Sequence, residues 1–153
     1  MTVHTLVIGL GNELRGDDGV GLQVARRVHA RAPELNVIEL EREPSGLIER
    51  WTGIARAVVI DAVAGPRPGR VHQLDPVAGN ELRLSSPASS HALGLGEVIE
   101  LARSLGRLPR ELTVFGIEGS RFGLGLELSA AVAARVDEVA DAVIAATQRK
   151  AAV

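Results

Sequence analysis

Short apolar runs of strand length alternate along this chain with stretches whose apolar residues recur every three to four positions. That alternation restricts the fold more than any other feature. "HTLVIGL" (4–10) runs out into glycines, Gly9 and Gly11, as a buried strand can, and Val20, Val24 and Val28 then mark one face of a helix. Arg26, Arg27 and Arg31 crowd the last turns of that helix, where cations suit its dipole, and Pro33 stops it. "LNVIEL" (35–40) reads as a second strand, "SGLIERW" (45–51) as a short helix and "ARAVVIDAV" (55–63) as a third, fully buried strand. "GRVHQL" (69–74) alternates as an edge or antiparallel strand does. Residues 75–90 read as a loop. Ser89 or Ser90 then caps a helix with Leu95, Val98, Ile99, Ala102 and Leu105 on its inner side, closed by Gly106 and Pro109. "ELTVFGI" (111–117) is a further strand. A last helix begins near Ser129, with Val132, Val136, Val139 and Val143 as its stripe.

Strands alternating with helices predict an open, mostly parallel sheet covered on both faces, with a ligand crevice beyond the carboxyl ends of the strands. The 153 residues suit one domain, 1–153, with a full core. A net charge of −2 with scattered arginines gives no basic stripe for nucleic acid, and 2% aromatic residues leave no base-stacking surface. No run approaches a membrane-spanning length. The absence of cysteine excludes disulfides and thiolate metal sites, and with no leader-like start a cytoplasmic location is expected.

Three ionisable stretches fall where the crevice should be: Asp17 and Asp18 after the first strand, Asp61 at the end of the third, and His91 ahead of a helix. "VIGLGNELRGDDGVG" (7–21) has the look of a nucleotide loop. Gly9 and Gly11 fit the dinucleotide fingerprint, but Leu14 stands at its third glycine and the P-loop lysine is absent. Two carboxylates beside a helix N-terminus would also repel phosphate. Taken singly, Asp18 reads as a helix cap, Asp61 as an acceptor of backbone hydrogen bonds from the next turn, and His91 as a helix-start histidine bonded to serine. His4, His29 and His72 read as structural or surface residues. Taken together, two carboxylates and an imidazole in one crevice make a mixed oxygen–nitrogen metal site with open positions, suited to zinc, nickel or iron.

"VIGLGNELRGDDGVG", "VVIDAV", "SSHALGL" and "LTVFGIEG", in this order, resemble the nickel–iron hydrogenase maturation endopeptidases over nearly the whole chain. The resemblance implies a three-layer α/β/α sandwich around a five-stranded, mostly parallel mixed sheet. It implies an aspartyl-type endopeptidase that removes a C-terminal extension from the hydrogenase large-subunit precursor once nickel has entered that precursor. The family's metal-binding trio falls on Asp18, Asp61 and His91, which would serve as both metal ligands and catalytic residues. The nickel is then carried by the precursor, no tightly bound metal is expected in the resting enzyme, and a monomer is expected. Where the family has a Gly-Thr or Gly-Ser pair, Pro44 and Ser45 stand here, which makes Ser45 and Gly46 substrate-contact candidates. Ala92 departs from a polar family position, which changes a bond behind the metal ligand. "GIEGSRFGLG" (116–125) resembles a recognition loop of some subgroups and equally an ordinary glycine-rich connection. Asp17 would tune Asp18 or cap the helix. A non-proteolytic module that binds nickel and precursor would use the same trio. "LVIGLGN" also resembles peptidyl-tRNA hydrolases, but "ELRGDD" replaces their proline-glycine and their basic surface is missing.

Overall fold

The computed structural model describes residues 4–41, 44–77 and 94–149. Five strands form one sheet: β1 (Thr5–Gly11), β2 (Asn36–Glu41), β3 (Arg56–Ala64), β4 (Val71–Leu74) and β5 (Glu111–Gly119), in the order β2-β1-β3-β5-β4. All neighbours run parallel except β4, which pairs antiparallel with β5, Val71 opposite Ile117. The helices are α1 (Val20–Arg31), α2 (Leu47–Trp51), α3 (Leu95–Ser104), α4 (Ala130–Ala133) and α5 (Val136–Thr147). This is the α/β architecture expected, with helices on both faces of a mixed five-stranded sheet.

The two-residue period of the strands sorts the core into two clusters. Val7, Val58, Ile60, Ala62, Phe115 and Ile117 pack with α1, α4 and α5 on one face. Leu6, Ile8, Leu10, Ala57, Val59, Leu112 and Val114 pack with α2 and α3 on the other. Helix α1 lies close to the sheet because it crosses on glycines: a Cβ on Gly21 would run into the carbonyls of Leu10 and Ile60. The third glycine contact that a nucleotide loop places at Leu14 is therefore made by Gly21, further along the chain. The arginines of α1 do more than meet its dipole. Arg27 and Arg31 pair with Asp137 of α5, Arg31 also with Asp141 at 2.6 Å, and Arg26 with Glu13 and Glu39.

Three expectations at helix ends need correction. The valine stripe is buried throughout, but it belongs to two helices, since α4 ends at Ala133 and α5 starts at Val136. Arg135 N–H bonds the Val132 carbonyl in that break. Helix α3 begins at Leu95 with Gly94 as its N-cap, whose N–H donates to the Glu97 carboxylate at 2.5 Å. Ser89 and Ser90 lie outside the described residues. Leu105 follows the end of α3 and is exposed, because Gly106 turns the chain with φ 67° at once.

Candidate active site

Asp17 and Asp18 sit in one turn of 3₁₀ helix, Gly16–Gly19, between the carboxyl end of β1 and the start of α1. The turn folds back on the strand end: Asn12 N–H donates to the Asp18 carbonyl at 3.2 Å and Asp18 N–H to the Arg15 carbonyl at 3.1 Å. Gly11 permits this fold-back. Its φ is 148°, and a side chain there would overlap the Asp18 carbonyl. The N-cap of α1 is Gly19, with no side-chain bond at the cap.

Both aspartates are buried. The Asp17 carboxylate accepts from Ser120 N–H (2.9 Å), Arg121 N–H (3.0 Å), Ser129 N–H (2.7 Å) and the Ser129 hydroxyl (3.0 Å). All four donors lie between β5 and α4, toward the α4–α5 layer. Burial pushes the Asp17 carboxyl up, but the hydrogen bonds from Ser120, Ser129 and Arg121 outweigh it and hold the group below its ordinary value. Asp17 thus caps neither α1 nor any other long helix; it holds the residue that starts α4.

Asp61 stands at the point where the sheet opens. The β1–β3 ladder ends at Gly9 opposite Ile60, whereas β3 and β5 stay paired to Ala64 and Gly119. Asp61 is the first residue of β3 beyond the β1 ladder, and alternation puts it on the Ala57–Val59 face, toward α2 and α3. Its Oδ1 accepts from the N–H of Ala62 at 2.8 Å, the local bond expected of a strand-end aspartate. That single bond does not compensate the site. Burial, and then the charge of nearby Asp18, push the Asp61 carboxyl well above its ordinary value. The structure therefore brings Asp18 and Asp61 together, one from each side of the point where β1 and β3 part. His91 lies outside the described residues, and among the described residues no group of three His, Asp or Glu side chains converges on a metal position.

Ser45 and Gly46 occupy a 3₁₀ turn, Pro44–Gly46, just past the carboxyl end of β2. Ser45 is exposed, and Gly46 is the N-cap of α2. They share the carboxyl edge with the aspartates but sit beyond β1 from Asp61. An open depression of about 420 Å³ lies on the outer side of the first loop, between Gly16 and Gly19 and residues 126–128; neither Asp18 nor Asp61 lines it. Residues 120–129 are bound to the first loop, with Gly16 N–H donating to Leu126 and Gly125 N–H to Leu14. Leu14 and Leu124, at the tips of these two loops, are 62% and 69% exposed.

One buried acid escaped the reading of the sequence. Glu118 ends the apolar run of β5 as Asp61 ends that of β3, and the same pattern, an apolar strand running into a carboxylate, would have found it. Its surroundings differ. His72 Nε2 lies 2.9 Å from the Glu118 carboxylate, Arg67 N–H donates at 3.3 Å, and Arg70 stands at 3.9 Å. Burial raises the Glu118 carboxyl, but the His72 bond and its companions bring it below its ordinary value. Glu118 is a satisfied structural group, and His72 is structural through it.

Comparison with known proteins fits this architecture. Residues 22–146 match the hydrogenase maturation protease family, HycI. The hydrogenase expression/formation protein HupD of Bradyrhizobium diazoefficiens is 32% identical over 117 residues, covering 74% of this chain and 61% of HupD. The chain thus spans about three fifths of the length of the first curated relatives it matches. Among solved structures, the hydrogenase maturating endopeptidase HybD of Escherichia coli superposes with a TM-score of 0.78 at 22% identity, covering 94% of this chain and 91% of that one. The [NiFe] hydrogenase maturation protease HybD of Thermococcus kodakarensis superposes with a TM-score of 0.73 at 26% identity, over 95% and 100% of the two chains. The chain belongs to the hydrogenase maturation protease family.

Proposed function

We propose that this protein is an endopeptidase that cuts a C-terminal extension from the precursor of a nickel–iron hydrogenase large subunit, and that it acts on the nickel-loaded precursor. The observation that carries the reading is the pairing of buried Asp18 with half-buried Asp61, where burial and then the charge of Asp18 hold Asp61 well above its ordinary value. A cation arriving in the crevice relieves that repulsion, and the nickel of the substrate is such a cation. Asp18, Asp61 and His91 are the proposed ligands of that nickel and the catalytic residues. Anchoring it fixes the scissile segment beside them, and positioning of this kind is a large part of a hydrolytic rate. Water then adds to the peptide carbonyl, the carbon–nitrogen bond breaks, and the proton passes to the leaving amine. Either the metal polarises that carbonyl or a carboxylate takes the proton from water.

The metal belongs to the substrate, so the resting protein, a monomer in the cytoplasm under this proposal, binds divalent ions weakly and exchangeably. Ser45 and Gly46, past β2, are proposed to touch the precursor. Exposed Leu124 gives the 116–125 segment the apolar tip expected of a recognition loop, and exposed Leu14 of the first loop lies next to it. No helix among the described residues is long and apolar enough to cross a membrane, which suits a soluble substrate.

The test is incubation of purified protein with nickel-loaded and nickel-free precursor, followed by intact mass. Loss of the extension from the loaded form alone is the expected result. A stable complex with no cleavage would replace the enzyme with a binding module. Stoichiometric, chelator-resistant zinc in the purified protein would point instead to an ordinary metalloprotease.

A further inference from the structure

We propose that Asp17 is a positioning residue. It clamps the segment after β5 to the back of the first loop and thereby holds Asp18 in place against Asp61. The inference rests on the reading of Asp18 and Asp61 given above and adds a residue to it.

Four hydrogen bonds converge on one fully buried carboxylate, and every donor comes from residues 120–129. The main chain tightens the same seam: Asp17 N–H donates to the Arg121 carbonyl at 2.7 Å and Gly16 N–H to the Leu126 carbonyl at 3.1 Å. Close contact at this seam is built into the sequence. Gly119 packs directly on Asp17, and a Cβ there would lie 2.6 Å from the Asp17 Cβ. The seam also reaches α1: the N–H of Val20, the first residue of that helix, donates to the Asp17 carbonyl, and no side chain caps the helix at Gly19.

The neighbouring residue gives the clamp its consequence. Asp18 follows Asp17 in a single 3₁₀ turn, and that turn is tied at its other side to Asn12 and Arg15. Asp18 is therefore fixed from behind by Asp17 and from the strand end by Asn12, while its carboxylate is held near the like charge of Asp61. A carboxylate is the side chain that suits this job. It offers about four acceptor positions and no donor, whereas an amide, in either orientation, turns its NH2 toward at least one of the backbone N–H groups of Ser120, Arg121 and Ser129.

A role confined to stability and a role in positioning differ in what they do to folded enzyme. Full-length Ser129→Ala, which removes one of the four donors, and Asp17→Asn, which disrupts the Oδ2 cluster, are compared with wild type. All are assayed below their unfolding temperatures, checked by circular dichroism. With nickel-loaded precursor, kcat per folded molecule is expected to fall severalfold in Ser129→Ala and about 10–100-fold in Asp17→Asn. KM, and precursor affinity measured by biolayer interferometry, are expected to change less than kcat does. Nickel ion alone, titrated by NMR, is expected to bind each variant more weakly than wild type in the same order. Wild-type kcat and wild-type nickel affinity in folded variants would overturn the proposal. So would a rise in KM and loss of precursor affinity at unchanged kcat, which would make the seam a recognition element. If wild-type protein itself fails to cleave, the proposed function fails, and the order of the nickel affinities decides the role of Asp17 separately.

Discussion

Asp17, buried, and Asp61, half-buried, are carboxylates at the carboxyl edge of the same sheet, and they live under opposite conditions. Asp17 accepts four hydrogen bonds and is held below its ordinary value. Asp61 accepts one from its own neighbour, faces the charge of Asp18, and is pushed well above. Burial costs both groups solvation, so the difference lies in what the fold supplies in return. Around Asp17 it supplies donors and gains an anchor. Around Asp61 it withholds them and accepts a less stable fold, which is how groups with chemical work are generally kept.

The comparison can be broken most directly by mutation at the second region. Asp18→Asn and Asp61→Asn are expected to lower precursor processing at least about a hundredfold, more than the loss of a supporting partner behind a metal ligand costs. Both variants should remain folded. Normal cleavage by either, followed by mass spectrometry of the precursor, would remove that residue from the site. If Asp17→Asn were inactive while Asp18→Asn cleaved normally, the two aspartates would have to exchange roles.

Asp17→Ala tests the first region. It leaves three partly buried N–H···O bonds without their acceptor and is expected to cost about 3 kcal/mol. In a chain of this size that lowers Tm by roughly 6–12 °C. The pH dependence has a defined sign. Because the folded-state value of Asp17 is lowered, its contribution is complete above the ordinary carboxylate range and disappears as pH falls through the lowered value. The Tm gap between wild type and variant should therefore close in acid, and a gap independent of pH would contradict the charged-acceptor account.

Asp61 has the reverse sign. Its folded-state value is raised, so wild type loses stability as pH climbs from the ordinary carboxylate range toward that raised value. Asp61→Asn should thus melt higher than wild type at neutral pH and match it in acid. A lower Tm at neutral pH would show that Asp61 is an anchor like Asp17. The smallest effect is expected at the rim. Leu124→Ser removes an exposed apolar contact worth about 1 kcal/mol when covered, so KM for the precursor should rise roughly fivefold with kcat unchanged. An unchanged KM would remove Leu124 from the recognition surface.

Much of this edge could be read from residue order. Asp18 and Asp61 are visible because each follows an apolar run into a position where the chain must leave the sheet, and the strand period alone assigns the Ala57–Val59 face to Asp61. The anchoring of Asp17 is not visible in that way. Three of its four donors are backbone N–H groups about a hundred residues on, and every residue type but proline carries one. The break between α4 and α5 is hidden for a related reason. Val132 and Val136 keep the spacing of a continuous stripe, and the intervening Ala134 and Arg135 have no helix-breaking side chain. Glu118 carried the same legible pattern as Asp61, and only its partners, His72 and Arg67, separate a structural acid from a reactive one.

The strand order has a kinetic side. β4 leaves β3 but does not pair with it; its partner is β5, which then takes the place between them. The β4 amides therefore cannot gain protection from exchange until α3 has formed and β5 has been inserted, whereas β1, β2 and β3 can assemble from contacts close together in the chain. Contacts of long sequence separation are slow to form. In a pulse-labelled refolding experiment the amides of residues 71–74 should be among the last of the sheet to be protected, and a chain still emerging during synthesis would hold a three-stranded β2-β1-β3 core with the outer edge strand waiting for its neighbour.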